Sequence, residues 1–216
     1  NIIINGNTIT SEKIARRALY TRPGYLFSQS DFERSLRELA SIGHFEAERA
    51  YSEAGYTLLP NQQNNTVDIA YNLVEKPNSQ LELSGGWGGD TFVGTLGVSF
   101  NNFSVRRMFE KGAWRPVPLG DGQTLSIRFQ TNGTYYTALS LSFMEPWLTG
   151  KKPTSLNFSA YYTRQTNSYY FYQKSDEYME VAGLALGIGT RLKWPDDYFV
   201  LYNELSWQYY NLHNWN

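Results

Sequence analysis

The chain has 216 residues, with 19 Lys+Arg against 20 Asp+Glu, two His and no Cys. That near-neutral balance supplies no basic field for phosphate neutralisation and excludes nucleic acid as a partner. Without Cys there is no disulfide framework and no thiol chemistry, and His44 and His213 alone make a poor metal set, so neither metal nor cofactor is expected.

Hydrophobic residues make up 41% of the chain and charged residues 18%, while 16% is aromatic. The rings are unevenly spread. Residues 1–77 hold 17 charged and 8 aromatic residues; residues 78–216 hold 22 and 27, including all six Trp. The change predicts two domains, 1–77 and 78–216, in contact with different solvents. No stretch approaches the ~18 apolar residues of a spanning helix. The chain opens on Asn1-Ile-Ile-Ile, a strand rather than a signal peptide.

In chain order, Ile2–Ile4 is a β-branched strand closed by Asn5-Gly6-Asn7. Thr10-Ser11-Glu12 offers helix-capping chemistry before Ile14, Ala15, Ala18 and Leu19, which share one helical face. After the break at Arg22-Pro23-Gly24, Ser30-Asp31-Phe32-Glu33 fits a capping box. Phe32, Leu36 and Leu39 continue that helix to Gly43, a left-handed end. Phe45–Ala54 and Val67–Val74 then read as two strands of a hairpin, around the polar loop 60–65. The order β-α-α-β-β places both helices on one face of a three-stranded sheet.

Beyond residue 78 the period changes to two. Leu125, Ile127 and Phe129 alternate with Thr124, Ser126, Arg128 and Gln130. Leu139, Leu141 and Phe143 alternate with Ser140 and Ser142, and Leu156, Phe158 and Ala160 with Ser155, Asn157 and Ser159. With Gln80–Trp87, Phe92–Phe100, Glu180–Leu192 and Tyr198–Tyr209, about seven strands are expected, many ~9–11 residues long, enough to cross a bilayer at a tilt. A soluble β-sandwich shares this alternation. Three features favour a membrane barrel: a polar face of Ser, Thr, Asn and Gln rather than charge, rings at strand ends, and alternating short and long turns. Phe103, Trp147, Tyr169–Tyr172, Trp194, Tyr198, Tyr209 and Tyr210 are those rings. Trp147, Trp194, Tyr198 and Tyr209 are the membrane-interface candidates. A membrane barrel must close, and about seven is an odd number where bacterial barrels have even ones, so the expectation is a piece of a longer protein.

The order of parts resembles the BamA family of outer-membrane protein assembly factors, in the superfamily of POTRA (polypeptide-transport-associated) domains joined to surface-antigen-type barrels. The motifs are Ile4-Asn5-Gly6-Asn7, Leu36-x-x-Leu39-x-x-Ile42-Gly43-x-Phe45, and Val67-Asp68-Ile69-x-Tyr71-x-Leu73-Val74-Glu75-Lys76 for the POTRA part. For the barrel they are Gly85-Gly86-Trp87-Gly88, Phe100-Asn101-Asn102-Phe103 and Glu145-Pro146-Trp147. The resemblance implies an α+β POTRA domain followed by the antiparallel N-terminal strands of a transmembrane β-barrel. It also implies a non-enzymatic protein of the bacterial outer membrane, with the POTRA domain in the periplasm. Its implied partners are unfolded outer-membrane clients, accessory assembly lipoproteins and outer-membrane lipid.

In that family a client strand adds to the first barrel strand at a lateral gate, by β-augmentation. Here that strand is Leu81, Glu82, Leu83, Ser84, Gly85, Gly86 and Trp87, where glycines lower strand propensity. A second edge is expected at Glu46–Tyr56, with Glu46, Ala47, Glu48, Arg49, Ala50 and Tyr51 as its docking residues. TamA-like factors and two-partner secretion pores share these parts. A soluble carbohydrate-binding β-sandwich joined to an α+β module is the alternative from another class. Ser104–Gly122 departs from the family as a long insertion carrying Arg106, Arg107, Lys111, Trp114 and Arg115. It reads either as an amphipathic segment on a membrane surface or as an ordered loop.

Overall fold

A computed structural model describes the chain except for residues 78, 89–90, 115–116, 151, 168–175, 197 and 216. The expected aromatic run Tyr169–Tyr172, as well as Gly89 and Arg115, lies outside the described residues. The chain divides into two compact units, and neither is one continuous stretch. The first comprises Asn1–Asn78 with Asn102–Gly122; the second comprises Ser79–Asn101 with Gln123–Asn216.

The first unit is an α+β module. Strand β1 (Ile2–Asn5) runs parallel to β3 (Thr66–Asn72), and β2 (Tyr56–Asn61) runs antiparallel to it, giving the order β1-β3-β2. Helices α1 (Glu12–Ala18) and α2 (Gln29–Ser41) lie between β1 and β2 in sequence. The core gathers Ala15 of α1 and Phe32, Leu36 and Leu39 of α2 against Ile2, Ile69 and Tyr71 of the sheet, with Phe45 and Leu73 beside them. Each such side chain contributes roughly 1.5–3 kcal/mol of burial. Helical spacing on one side and period-two spacing on the other produce a single seam. Tyr71 is fully buried, and its hydroxyl lies 2.9 Å from Thr21 Oγ1, so its polar end is satisfied.

Three local expectations are corrected. The strand expected over Phe45–Ala54 does not form. Phe45 makes only an isolated bridge to Glu75, and Ala47–Tyr51 is a short helix, α3, with Ala50 buried. Ala-Glu-Arg-Ala is a run of strong helix formers, and burying Ala50 outweighs the extended alternative. The hairpin is therefore β2 with β3, with Asn65 at its turn in the left-handed region. The cap of α2 is Ser28, whose Oγ accepts from the Asp31 N–H at 3.2 Å; Ser30 lies inside the helix and Glu33 accepts from Gln29 instead. At α1, Ser11 is the N-cap residue but its side chain caps nothing.

The second unit is a seven-stranded antiparallel sheet in strict sequence order: β4 (Gln80–Gly88), β5 (Thr91–Phe103), β6 (Gln123–Asn132), β7 (Tyr136–Glu145), β8 (Thr154–Thr166), β9 (Tyr178–Arg191) and β10 (Val200–His213). The sheet is open, with β4 at one end and β10 at the other. Its register turns seven alternating sequences into two faces. Leu125, Phe143, Phe158, Leu186 and Leu205 form one row straight across β6 to β10. The next row is Ser126, Ser142, Ser159, Ala185 and Ser206. It extends to β5 through the Ser99–Ser126 hydroxyl contact at 2.8 Å. The apolar row faces outward, with Leu186 at 47% and Leu205 at 78% exposure, while the core cluster of the described residues ends at Leu73. A sheet with a continuous apolar row on one face and no core packed over it is suited to lipid.

Candidate functional site

Among the described residues the first sheet strand, β4, pairs with β5. Its ladder to β5 runs from Gln80 opposite Ser99 to Gly88 opposite Thr91. Leu81, Leu83, Gly85 and Trp87 point to the apolar face, and Glu82, Ser84 and Gly86 to the polar one. Leu81, Leu83 and Trp87 are all more than two-thirds exposed.

The two central glycines differ in their surroundings. A Cβ at Gly85 would sit 3.2 Å from the ring of Phe92, which lies across the strand there, whereas a Cβ at Gly86 would meet nothing within 4 Å. On the polar face Arg128 of β6 donates to Glu82 at 2.9 Å, reaching over β5. Gly97 lies beneath that pair: a Cβ there would be 3.3 Å from Glu82 Oε2 and 3.7 Å from Arg128 Cγ. The pair therefore ties the first strand to the third across a residue with no side chain.

Antiparallel succession fixes which connections share a rim. β5 returns to the end at which β4 begins, so the connections after β5, β7 and β9 all lie at that rim. Trp147 stands in the second of them, and Trp194 and Tyr198 in the third, exposed by 83% and 79%. Glu145 braces the Trp147 turn by accepting the Trp147 N–H at 2.9 Å and the Gln123 amide at 2.7 Å. Tyr209 lies opposite Ala182 on the apolar face, toward the other rim. The expected docking residues Glu46–Tyr51 are not on a sheet edge. Glu46 precedes α3, and the edge strands of that sheet are β1 and β2.

The insertion after β5 is held by a buried polar network that sequence reasoning missed. Asn102 donates from Nδ2 to Thr10 Oγ1 at 2.9 Å and accepts the Gly122 N–H at 2.9 Å. The Ser11 N–H donates to the Gly120 carbonyl at 2.9 Å, and the Gly120 N–H to that of Asn102 at 2.7 Å. Ser104 donates to Asp121 at 2.6 Å, Lys13 pairs with the same carboxylate, and Arg107 donates to the Leu119 carbonyl at 2.8 Å. Gly120, at φ +126°, is required: a Cβ there would lie 2.7 Å from the Ile9 carbonyl oxygen. Burial pushes the Asp121 carboxyl up, but hydrogen bonds from Lys13 and Ser104 and the charges of Lys13 and Arg106 outweigh it and hold it below its ordinary range.

Glu75 gathers the neighbouring turn in the same way. Its carboxylate accepts the Thr8 hydroxyl at 2.6 Å, the backbone N–H groups of Thr8 at 3.0 Å and Ile9 at 2.9 Å, and that of Thr10. Burial raises its pKa, but these donors outweigh that and leave it depressed. Burial lowers the pKa of His44, against the opposing charge of Glu75. Among the described residues no group of three or more His, Cys, Asp or Glu could hold a metal ion.

An α+β module of this topology leading into an outward-apolar antiparallel sheet defines a class of outer-membrane protein. Residues 1–76 match the POTRA family, described as the surface antigen variable number repeat, and residues 118–215 match the Omp85 superfamily domain. Taken together, the two matches read as a POTRA-type domain ahead of an Omp85-type barrel part. The chain is also similar to outer-membrane protein assembly factors. It is 27% identical over 158 residues to a putative outer membrane protein assembly factor of Treponema pallidum, covering 73% of this chain and 17% of that protein. It is 27% identical over 161 residues to the outer membrane protein assembly factor BamA of Neisseria meningitidis, covering 74% and 17%. The chain thus spans about a sixth of the length of these relatives.

Among solved structures, BamA from Haemophilus ducreyi lacking POTRA domains 1-3 superposes with a TM-score of 0.68 at 21% identity, over 99% of this chain and 35% of that one. CdiB from Acinetobacter baumannii gives 0.52 at 14% identity, over 98% and 38%. Both likenesses concern the fold.

Proposed function

We propose that the chain is part of an outer-membrane protein assembly factor, in which β4 receives an incoming client strand by main-chain pairing. The superfamily is one of assembly and translocation rather than catalysis. Two relatives are named outer membrane protein assembly factors, and this carries the choice of assembly over a secretion pore. The observation supporting the site is that β4 is the first strand of the sheet and carries two adjacent glycines, with open space for a Cβ at Gly86. Glycine without a packed side chain lowers the stability of any permanent pairing there, by roughly 0.5–1 kcal/mol per residue. Backbone N–H and C=O groups would do the pairing, with Leu81, Leu83 and Trp87 facing lipid and Glu82, Ser84 and Gly86 facing the lumen.

In this reading the first unit stands in the periplasm, the clients are unfolded outer-membrane proteins, and accessory lipoproteins dock on the POTRA domain. Trp147, Trp194, Tyr198 and Tyr209 then mark the two interfaces of the membrane, where a ring keeps its polar edge wet.

The test is a disulfide in the full-length protein between Leu83→Cys and a cysteine at the facing position of the last barrel strand. Oxidation is expected to abolish folding of a client barrel into vesicles, and reduction to restore it. Undiminished client folding with the cross-link complete would refute the gate. Export of a client across the vesicle wall, in place of its insertion, would favour the pore reading.

A further inference from the structure

The segment after β5 is rigid at its base and apolar at its tip. Its base is the Asn102, Ser104 and Asp121 network. Its tip begins with a short 3-10 helix (Arg106–Phe109) and turns back so that the Trp114 indole N–H donates to the Met108 carbonyl at 3.0 Å. Phe109 is 90% exposed and Trp114 56% exposed. Arg106, Arg107 and Lys111 against Glu110 make this stretch basic in a chain whose net charge is −1.

We propose that this tip is a membrane anchor, with Phe109 and Trp114 seated at the headgroup–acyl boundary and Lys111 facing the phosphates of anionic lipid. Three observations select lipid as the occupant. Connectivity puts both ends of the segment at the rim where β4 begins, because β5 delivers the chain there and β6 leaves from there. The next two connections in that alternation carry Trp147 and Trp194, so each of the three carries a Trp. Aromatic rings interleaved with Lys and Arg match an interface in which an apolar body sits below a layer of phosphates. The polar base explains why the tip holds its rings outside the protein: Asn102, Ser104 and Asp121 bind the flanks of the segment inward, leaving residues 108–114 to project. The proposal rests on the membrane-spanning sheet and not on the assembly activity, so either can fail without the other.

This stretch contributes no Cys of its own, so a single Cys introduced here into a full-length protein with any other Cys replaced carries the label. The full-length protein carrying Phe109→Cys, labelled with an environment-sensitive fluorophore, is placed in vesicles of phosphatidylethanolamine and phosphatidylglycerol. Gln62→Cys, at the exposed β2–β3 turn, is the control. Acyl chains brominated near the headgroup are expected to quench the 109 label by about half, as for a group lying ~5–10 Å into the interface, and to leave the 62 label unchanged. Aqueous iodide should quench only the 62 label.

Quenching of the 109 label by iodide and not by brominated lipid would overturn the proposal. So would protection from both quenchers, which would show that another part of the protein or a partner covers the tip. Substituting Lys111→Glu should weaken lipid quenching in these vesicles but not in phosphatidylcholine alone; equal quenching in both would remove the anionic lipid from the proposal.

Discussion

Asn102 is the residue on which the attachment of the 102–122 segment turns, and Asn102→Ala isolates it. The side chain is 7% exposed and makes two hydrogen bonds, one to the Thr10 hydroxyl and one from the Gly122 N–H. The Thr10 hydroxyl oxygen loses a donor but its own proton stays free to donate, so this loss costs about 1 kcal/mol, whereas an unpaired buried N–H costs about 1–3 kcal/mol. A local destabilisation of about 2–4 kcal/mol follows, confined to the 8–13 turn and to 118–122. Backbone amides whose exchange proceeds by local opening should then exchange roughly 30- to 700-fold faster. Hydrogen-exchange mass spectrometry on the full-length protein reads this directly, with β6 to β9 as internal reference. Unchanged protection of 8–13 and 118–122 would refute the reasoning, as would faster exchange spread equally over the sheet.

The first unit should lose stability in acid, in two stages. His44 has its pKa lowered from 6.5 by burial, so below that value the unfolded chain binds a proton that the folded chain resists, and stability falls. Glu75 and Asp121 have pKa values lowered from 4.5 and 3.8, so their contribution is complete above those values and is lost as pH falls through the lowered ones. Thermal unfolding of this unit should therefore shift down first below about pH 6.5 and again below about pH 4.5, with the second step smaller in Glu75→Gln; a flat profile would contradict the burial of His44 and the hydrogen bonds to Glu75 and Asp121. The two faces of the sheet give a paired test. Ile127→Lys places a charge mid-strand on the apolar face and should cost about 2–4 kcal/mol, seen as lost heat-modifiable mobility, while Ser126→Lys on the polar face should fold normally.

Much of this protein is written in period. The helices 12–18 and 29–41 and the seven sheet strands follow from apolar spacing alone, because 3.6- and 2-residue periods are local properties that no distant contact needs to supply. The apolar face was legible for the same reason: Leu125, Ile127 and Phe129 share it in any register that buries no serine in lipid. The aromatic imbalance likewise pointed to a wall rather than a pocket. What the sequence left undecided were choices made between residues far apart. Ala47–Tyr51 could extend or coil, and the burial of Ala50 selected the helix. The cap of α2 moved from Ser30 to Ser28, since either serine satisfies the local chemistry and packing sets where the helix begins.

The insertion is the clearest case. Its basic and aromatic residues were visible, but Asn102 meets Thr10 across 92 residues of sequence, and nothing near Asn102 signals that partner. Period fixed which side of each strand meets lipid; only the folded chain brought Asn102, Ser104 and Asp121 against the Thr8–Lys13 turn, because a hydrogen bond depends on distance in space and not on separation along the chain.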